Sequence, residues 1–262
     1  MTRLLSGVAL AAAALAAILF LPFPALRVIA CVVAALAAHE YLGIVDPARR
    51  GRDAAPILIL VVLVCWSFSD PGGEARPGPV GVPQLLLLGA GWAAVEVAWR
   101  RIAVARVRAR LLAPLYLGMP LGMLAAVQMA GGRMATLLLI ASVVVSDSVQ
   151  YYSGRRFGRR PLAPTISPKK TIEGAIGGLV VGTMFMILAG HWVFPAAGPA
   201  ALGLLGAAVV VLGICGDLFE SRLKRAAGVK DSSGLIPGHG GVLDRIDALL
   251  FAVPIYYAYL LS

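Results

Sequence analysis

Residues 216–247 read GDLFESRLKRAAGVKDSSGLIPGHGGVLDRID, and long apolar segments flank them on both sides. The stretch closes one hydrophobic run and opens the next, yet it is far too charged for an ordinary membrane loop. Four aspartates, Asp217, Asp231, Asp244 and Asp247, share it with Lys224, Arg225, Lys230, His239, Arg245 and a Gly-His-Gly-Gly turn. That mixture suits a magnesium-bound polyphosphate. Carboxylates are hard oxygen ligands for Mg2+, lysines and arginines neutralise phosphate oxygens, and glycines let backbone N–H groups approach phosphate closely.

Working outward, the whole chain of 262 residues is 60% hydrophobic and only 14% charged, with a mean hydropathy of +0.87. Such a chain cannot present an ordinary solvated surface, which makes it a polytopic membrane protein. The net charge of +10 does not point to nucleic acid, because the basic residues sit in short clusters between apolar runs and form no basic face. Cys31, Cys65 and Cys215 lie singly inside apolar runs, without the spacing of a disulfide framework or a zinc site; they read as buried filler.

About 20 apolar residues are needed for each helical span, and on that measure the fold is all-α with nine helices. They are expected near residues 3–22, 25–46, 54–68, 82–99, 111–129, 134–152, 172–194, 199–220 and 242–261. The Gly- and Pro-rich stretch 69–81 reads as an extramembrane loop. Residues 1–133 form an N-terminal, lipid-facing scaffold, and residues 134–262 a catalytic region carrying both charged loops. Basic residues gather at alternate connections: Arg3, then Arg49, Arg50 and Arg52, then Arg100, Arg101, Arg106, Arg108 and Arg110, then the two richest loops. The positive-inside rule therefore puts the N-terminus and both charged loops in the cytoplasm and the C-terminus outside. The early arginine clusters are assigned to topology and to anionic headgroups. Glu40, beside His39 near the inner end of the second helix, reads either as a functional group at membrane depth or as a solvated interfacial residue.

Gly174, Gly178 and Gly182 fall four apart on one helix face, and Gly118 and Gly122 make a shorter version. Small-residue faces allow close helix packing. Packing within the subunit is the reading adopted, and a homodimer interface is the sharper alternative.

A second charged segment, DSVQYYSGRRFGRRPLAPTISPKKTIEG, runs from Asp147 to Gly174. Ser167 followed by Pro168 reads as a helix start, with Ser as N-cap and Pro at the first position. Lys169 and Lys170 then fall in the first turn, where ammonium and free N–H groups would point the same way and make an anion site.

Both segments resemble the phosphatidate cytidylyltransferases, or CDP-diacylglycerol synthases. Ser221, Lys224, Arg225, Lys230, Asp231, His239, Gly240, Gly241, Asp244, Arg245 and Asp247 fill that family's signature without a gap. Asp147, Gly154, Arg155, Phe157, Gly158, the LAPTISPKKT run 162–171, Glu173 and Gly174 match its upstream element. Ser148 and Gln150 depart from it. The resemblance implies transfer of the cytidylyl group of CTP to phosphatidate, with Mg2+ as cofactor and a second, monovalent cation left open. It implies catalytic roles for Asp217, Asp244, Asp247, Lys230 and Asp231, and substrate binding by Ser167, Lys169, Lys170, Lys224, Arg225, His239, Gly240, Gly241 and Arg245. Asp217 and Asp244, with Asp147 ranked after them, are the expected metal ligands. The partners are then CTP, phosphatidate and membrane lipids, in a cell membrane of bacterial type with the site facing the cytoplasm.

Two other classes set the contrast. A CTP-dependent polyprenol or phytol kinase would release CDP instead of pyrophosphate. A transporter would carry its ionisable residues near the bilayer midplane at broken helices, whereas these collect at one face.

Overall fold

The computed structural model describes residues 2–47, 54–69, 104–236, 238 and 240–262. The helix expected over 82–99, most of the loop 69–81, the arginines at 49–52 and 100–101, and His239 lie outside the described residues. The remainder is helical almost throughout: α1 Thr2–Phe20, α2 Phe23–Val45, α3 Ala55–Phe68, α4 Val104–Ala113, α5 Met119–Phe157, α6 Ile172–Val193, α7 Pro199–Ala226 and α8 Leu243–Leu261. A π-helical turn, Pro114–Gly118, joins α4 to α5. Pro114 offers no N–H to the regular ladder, a common origin of such a turn. The expected break between 129 and 134 is present as a kink inside α5, where Gly132 takes φ 77° and ψ 179°, dihedrals open to glycine.

Four helical segments are long and apolar enough to cross a membrane: Phe23–Val45, Val107–Phe157, Ile172–Val193 and Pro199–Ala226. At about 1.5 Å per residue, even the shortest of these reaches across a hydrocarbon core of about 30 Å. The class is that of a helical membrane protein.

The chain forms two compact units, residues 1–129 with 227–245 and residues 130–226 with 246–262. In the first, α2, α3 and the π turn pack on one another, and Ala34, Ala37, Ala38, Ile57, Val61 and Leu117 of these elements are buried. Gly118 and Gly122 lie against the backbone of Val61 and Cys65 on α3, leaving no room for a Cβ. Arg110 is buried 4.0 Å from the buried carboxylate of Asp46, and the Tyr41 hydroxyl donates to the Ala109 carbonyl at 2.7 Å. A buried ion pair of this kind stabilises little in itself, but neither partner can be removed cheaply.

In the second unit α6 and α7 pack through the glycine face. Gly178 and Gly182 sit on Ser146 and Gln150 of α5 and on Val210 of α7, and Gly190 on Leu202 and Leu138. The stripe is thus consumed inside the unit, as the packing reading holds. The opposite face of α6 carries Ile176, Val180, Met184 and Leu188 and ends at Trp192, which is 85% exposed. A row of apolar side chains closed by an exposed tryptophan is the pattern of a lipid-facing helix with its end at the interface.

One element departs from the expectation. Residues 167–171 are not the first turn of a helix but a strand, β2 Ser167–Thr171, paired antiparallel with β1 Pro161–Ala163. The helix begins at Ile172, with Thr171 as N-cap accepting from the Gly174 N–H at 3.1 Å. Electrostatics accounts for the shift. Lys169 and Lys170 would place like charge at the positive end of the helix dipole, whereas starting at Ile172 puts Glu173 there instead.

Candidate active site

In the second unit the hairpin β1–β2 is held from three sides. The Glu173 carboxylate accepts from the N–H groups of Arg159 and Arg160 at 3.0 and 3.2 Å, and the Ile172 N–H donates to the Arg160 carbonyl at 2.9 Å. Arg225, at the end of α7, donates through Nε to the Ile166 carbonyl in the hairpin turn at 3.4 Å. The Thr171 hydroxyl rests among glycines: a Cβ on Gly154, Gly158 or Gly174 would stand 2.9, 2.8 or 3.0 Å from it. This is why the Gly-Arg-Arg-Phe-Gly element precedes the hairpin.

Successive side chains of a strand point to opposite faces, so β2 separates its two lysines. Lys169 is exposed, while Lys170 is partly buried and its ammonium pairs with the Asp217 carboxylate on α7. The Ser221 hydroxyl donates to the other Asp217 oxygen at 3.3 Å. Asp147 on α5 and Asp247 on α8 complete an acidic group, each within electrostatic reach of Asp217 and of Lys170. Gln150 steadies Asp147, donating from Nε2 to Oδ1 at 3.0 Å and to the Ser146 hydroxyl at 3.1 Å. Gly216 sits against the Asp247 carbonyl, and that close approach brings the α7 and α8 carboxylates to one place.

The first unit contains the loop 227–245. Lys230, Asp231, Ser233, Gly234, Ile236, Gly238 and Gly240 line an open cleft of about 360 Å³. Gly238 and Gly240 have φ of 76° and 79°, the left-handed backbone that a nest of N–H groups requires, and Ile236 and Gly240 pair as an antiparallel bridge. Asp244 organises the loop from within: its Oδ2 accepts from the Ser232 N–H at 2.9 Å and from the Gly241 N–H at 2.8 Å, and the Ser232 hydroxyl, 2.9 Å away, divides its single proton between Asp244 and Glu40. Glu40 of α2, 5% exposed, accepts from Ser232 and Ser233 hydroxyls and from the Val242 and Leu243 N–H groups.

The expected residues therefore fall into two groups. Asp147, Asp217, Asp247, Lys170 and Arg225 belong to the second unit with Ser167 and Lys169; Lys230, Asp231, Gly240, Gly241, Asp244 and Arg245 belong to the first. Lys224 has a partner that was not foreseen: its ammonium pairs with Glu220, a fully buried carboxylate one helical turn earlier. The four-residue Glu-to-Lys spacing carried that signal. Glu173 and Gln150 were also missed as organisers, although Glu173 in the first turn of a helix is a standard N-terminal cue.

Asp147, Asp217 and Asp247 offer only carboxylate oxygens, the donors that Mg2+ takes, and their mutual repulsion favours a cation among them. Lys170 is one such cation. The three carboxylates match Mg2+ in kind of donor, but among the described residues no three acidic, imidazole or thiolate side chains are gathered closely enough to hold a metal ion.

The fold and these residues define a helical membrane protein with a lysine-paired carboxylate group in one unit and a glycine-rich cleft in the other. The cytidylyltransferase family model matches residues 1–262, and the chain belongs to that family. Similar proteins include a phosphatidate cytidylyltransferase of Pseudomonas aeruginosa, 38% identical over 79% of this chain and 69% of its own length. One of Haemophilus influenzae is 48% identical over 46% of this chain and 44% of its own. The uncharacterized protein YnbB of Escherichia coli is 40% identical over 53% of this chain and 46% of its own. The chain thus spans less than half the length of the last two.

Proposed function

We propose that this chain transfers the cytidylyl group of CTP to phosphatidate, forming CDP-diacylglycerol and releasing pyrophosphate. The observation that carries the reading is the Lys170–Asp217 pair, which joins the upstream element to the downstream one at a single place. A phosphate monoester is already ionised at neutral pH, so its oxygen can attack the α-phosphorus of CTP without a general base. The bond from that phosphorus to the β-phosphate oxygen breaks, and pyrophosphate leaves. The protein's task is to hold two anions in line and offset their charge.

Lys170 and the exposed Lys169 flank the carboxylate group, where phosphate oxygens would exchange for Asp217 at the Lys170 ammonium. Lys230 and the N–H groups around Gly238 and Gly240 would receive phosphates in the cleft. Asp217, with Asp147 ranked after it, is the proposed source of carboxylate oxygens for Mg2+, which when bound would neutralise triphosphate charge. Asp244 enters as the organiser of the loop, and the expectation that it ligates metal is tested by the same substitution as Asp217. We assign the protein to a cell membrane with nine spans, its N-terminus and both charged loops in the cytoplasm, where nucleoside triphosphates are found. The distribution of Lys and Arg supports this orientation.

The test is incubation of the purified protein with labelled CTP and phosphatidate, a polyprenol or phytol in turn. Pyrophosphate and CDP-diacylglycerol formed from phosphatidate alone is the expected result. Release of CDP with phosphorylation of an alcohol would replace this reading with that of a lipid kinase.

A further inference from the structure

We infer that Glu40, on a helix outside both charged segments, is the positioning residue that sets the glycine-rich loop 230–243 for nucleotide. The inference rests on the reading of that loop as a phosphate-binding element. Four donors converge on this one buried carboxylate: the Ser232 hydroxyl at 2.9 Å and Leu243 N–H at 2.8 Å on Oε2, and the Ser233 hydroxyl at 2.7 Å and Val242 N–H at 3.0 Å on Oε1. The Val242 and Leu243 N–H groups belong to the N-terminus of α8, so Glu40 caps that helix from a distant part of the chain, where a negative charge is favoured.

The contact also explains a sequence feature. A Cβ on Gly241 would collide with Glu40 Oε2 and with Ser232 Oγ, so the second glycine of the turn is the room that the carboxylate occupies. Through Ser232, whose hydroxyl lies 2.9 Å from both Glu40 Oε2 and Asp244 Oδ2, the anchor reaches Asp244. Only a carboxylate presents acceptors on both oxygens. A glutamine of the same size turns one of them into an NH2 group facing donors, leaving hydroxyl or N–H groups unpartnered.

The full-length protein in detergent with phosphatidate separates this role from a merely structural one. Glu40→Gln is expected to raise the KM for CTP at least about tenfold while kcat stays within about threefold. Hydrogen exchange of the 230–243 backbone should rise at least about tenfold, with α6 and α7 unchanged. Glu40→Asp, which keeps two acceptors on a shorter arm, should lie closer to wild type than Gln in both readouts. Wild-type KM and exchange in Glu40→Gln, or an exchange increase spread equally over α6 and α7, would overturn the inference. If the wild type forms no CDP-diacylglycerol, the catalytic reading fails, and the exchange measurement still decides whether Glu40 anchors the loop.

Discussion

Two adjacent lysines of the same charge do different work here, because a strand divides what a helix would have kept together. Lys170 pairs with Asp217 and Lys169 faces solvent. The charge-preserving change Lys170→Arg should lower kcat/KM at least tenfold, about 1.4 kcal/mol of transition-state stabilisation, because a planar guanidinium does not fit the place of a compact ammonium. Lys169→Arg should remain within about twofold. Equal effects in steady-state assays would return both residues to topology. Asp217→Asn keeps the shape of the side chain and removes its charge, and is expected to abolish turnover at any Mg2+ concentration while the protein still inserts and purifies. Asp244→Asn is expected to do the same, with the added signature of faster exchange at Ser232 and Gly241, whose N–H groups it now receives. Near-normal turnover of either variant at saturating Mg2+ would remove it from the site.

At the level of elements, the spans were readable because burial in lipid demands long apolar runs: α2, α3 and α6 begin and end within two residues of where the runs do, while α7 begins with its run and continues past 220 to Ala226. The hairpin was not readable. Ser167 and Thr171 both qualify as N-caps by residue type, and only the dipole's preference for Glu173 over Lys169 and Lys170 in the first turn separates them. The acidic group was legible as residue types and spacing. Its assembly was not, since it depends on Gly216 meeting the Asp247 carbonyl, a contact between helices that no single-helix pattern encodes. Gly216→Ala tests that contact directly. The added methyl meets backbone, which cannot rotate away, so α7 must shift from α8. Overpacking of this sort costs about 1–3 kcal/mol, and a lowered midpoint of thermal unfolding in detergent, together with reduced turnover, is expected. An unchanged midpoint would mean that the two helices are not held this closely.

For the whole molecule, the asymmetry of basic residues makes a claim about sides that packing alone does not. The hairpin and Arg156 lie at one end of α6 and the exposed Ala196 just past the other. Cys31 and Cys65 are buried as expected, but Cys215 is exposed instead of buried; in a chain with Cys215 replaced by alanine, a cysteine at position 156 should react with a membrane-impermeant maleimide only when the cytoplasmic face is open. One at position 196 should react in intact cells. The opposite pattern would invert the orientation and put both charged loops outside.

Glu40 also imposes an order on synthesis. Its hydrogen-bonding partners lie 192 to 203 residues further along the chain, so α2 is made and delivered to the bilayer long before Ser232 or Leu243 exists. Until they arrive the carboxylate lacks these four donors, and a ribosome stalled before residue 243 holds a nascent protein whose glycine-rich loop has no second helix to close against. The glycine-rich loop is therefore closed only across nearly two hundred residues of intervening chain, every one of which must be made and placed before Glu40 meets its partners.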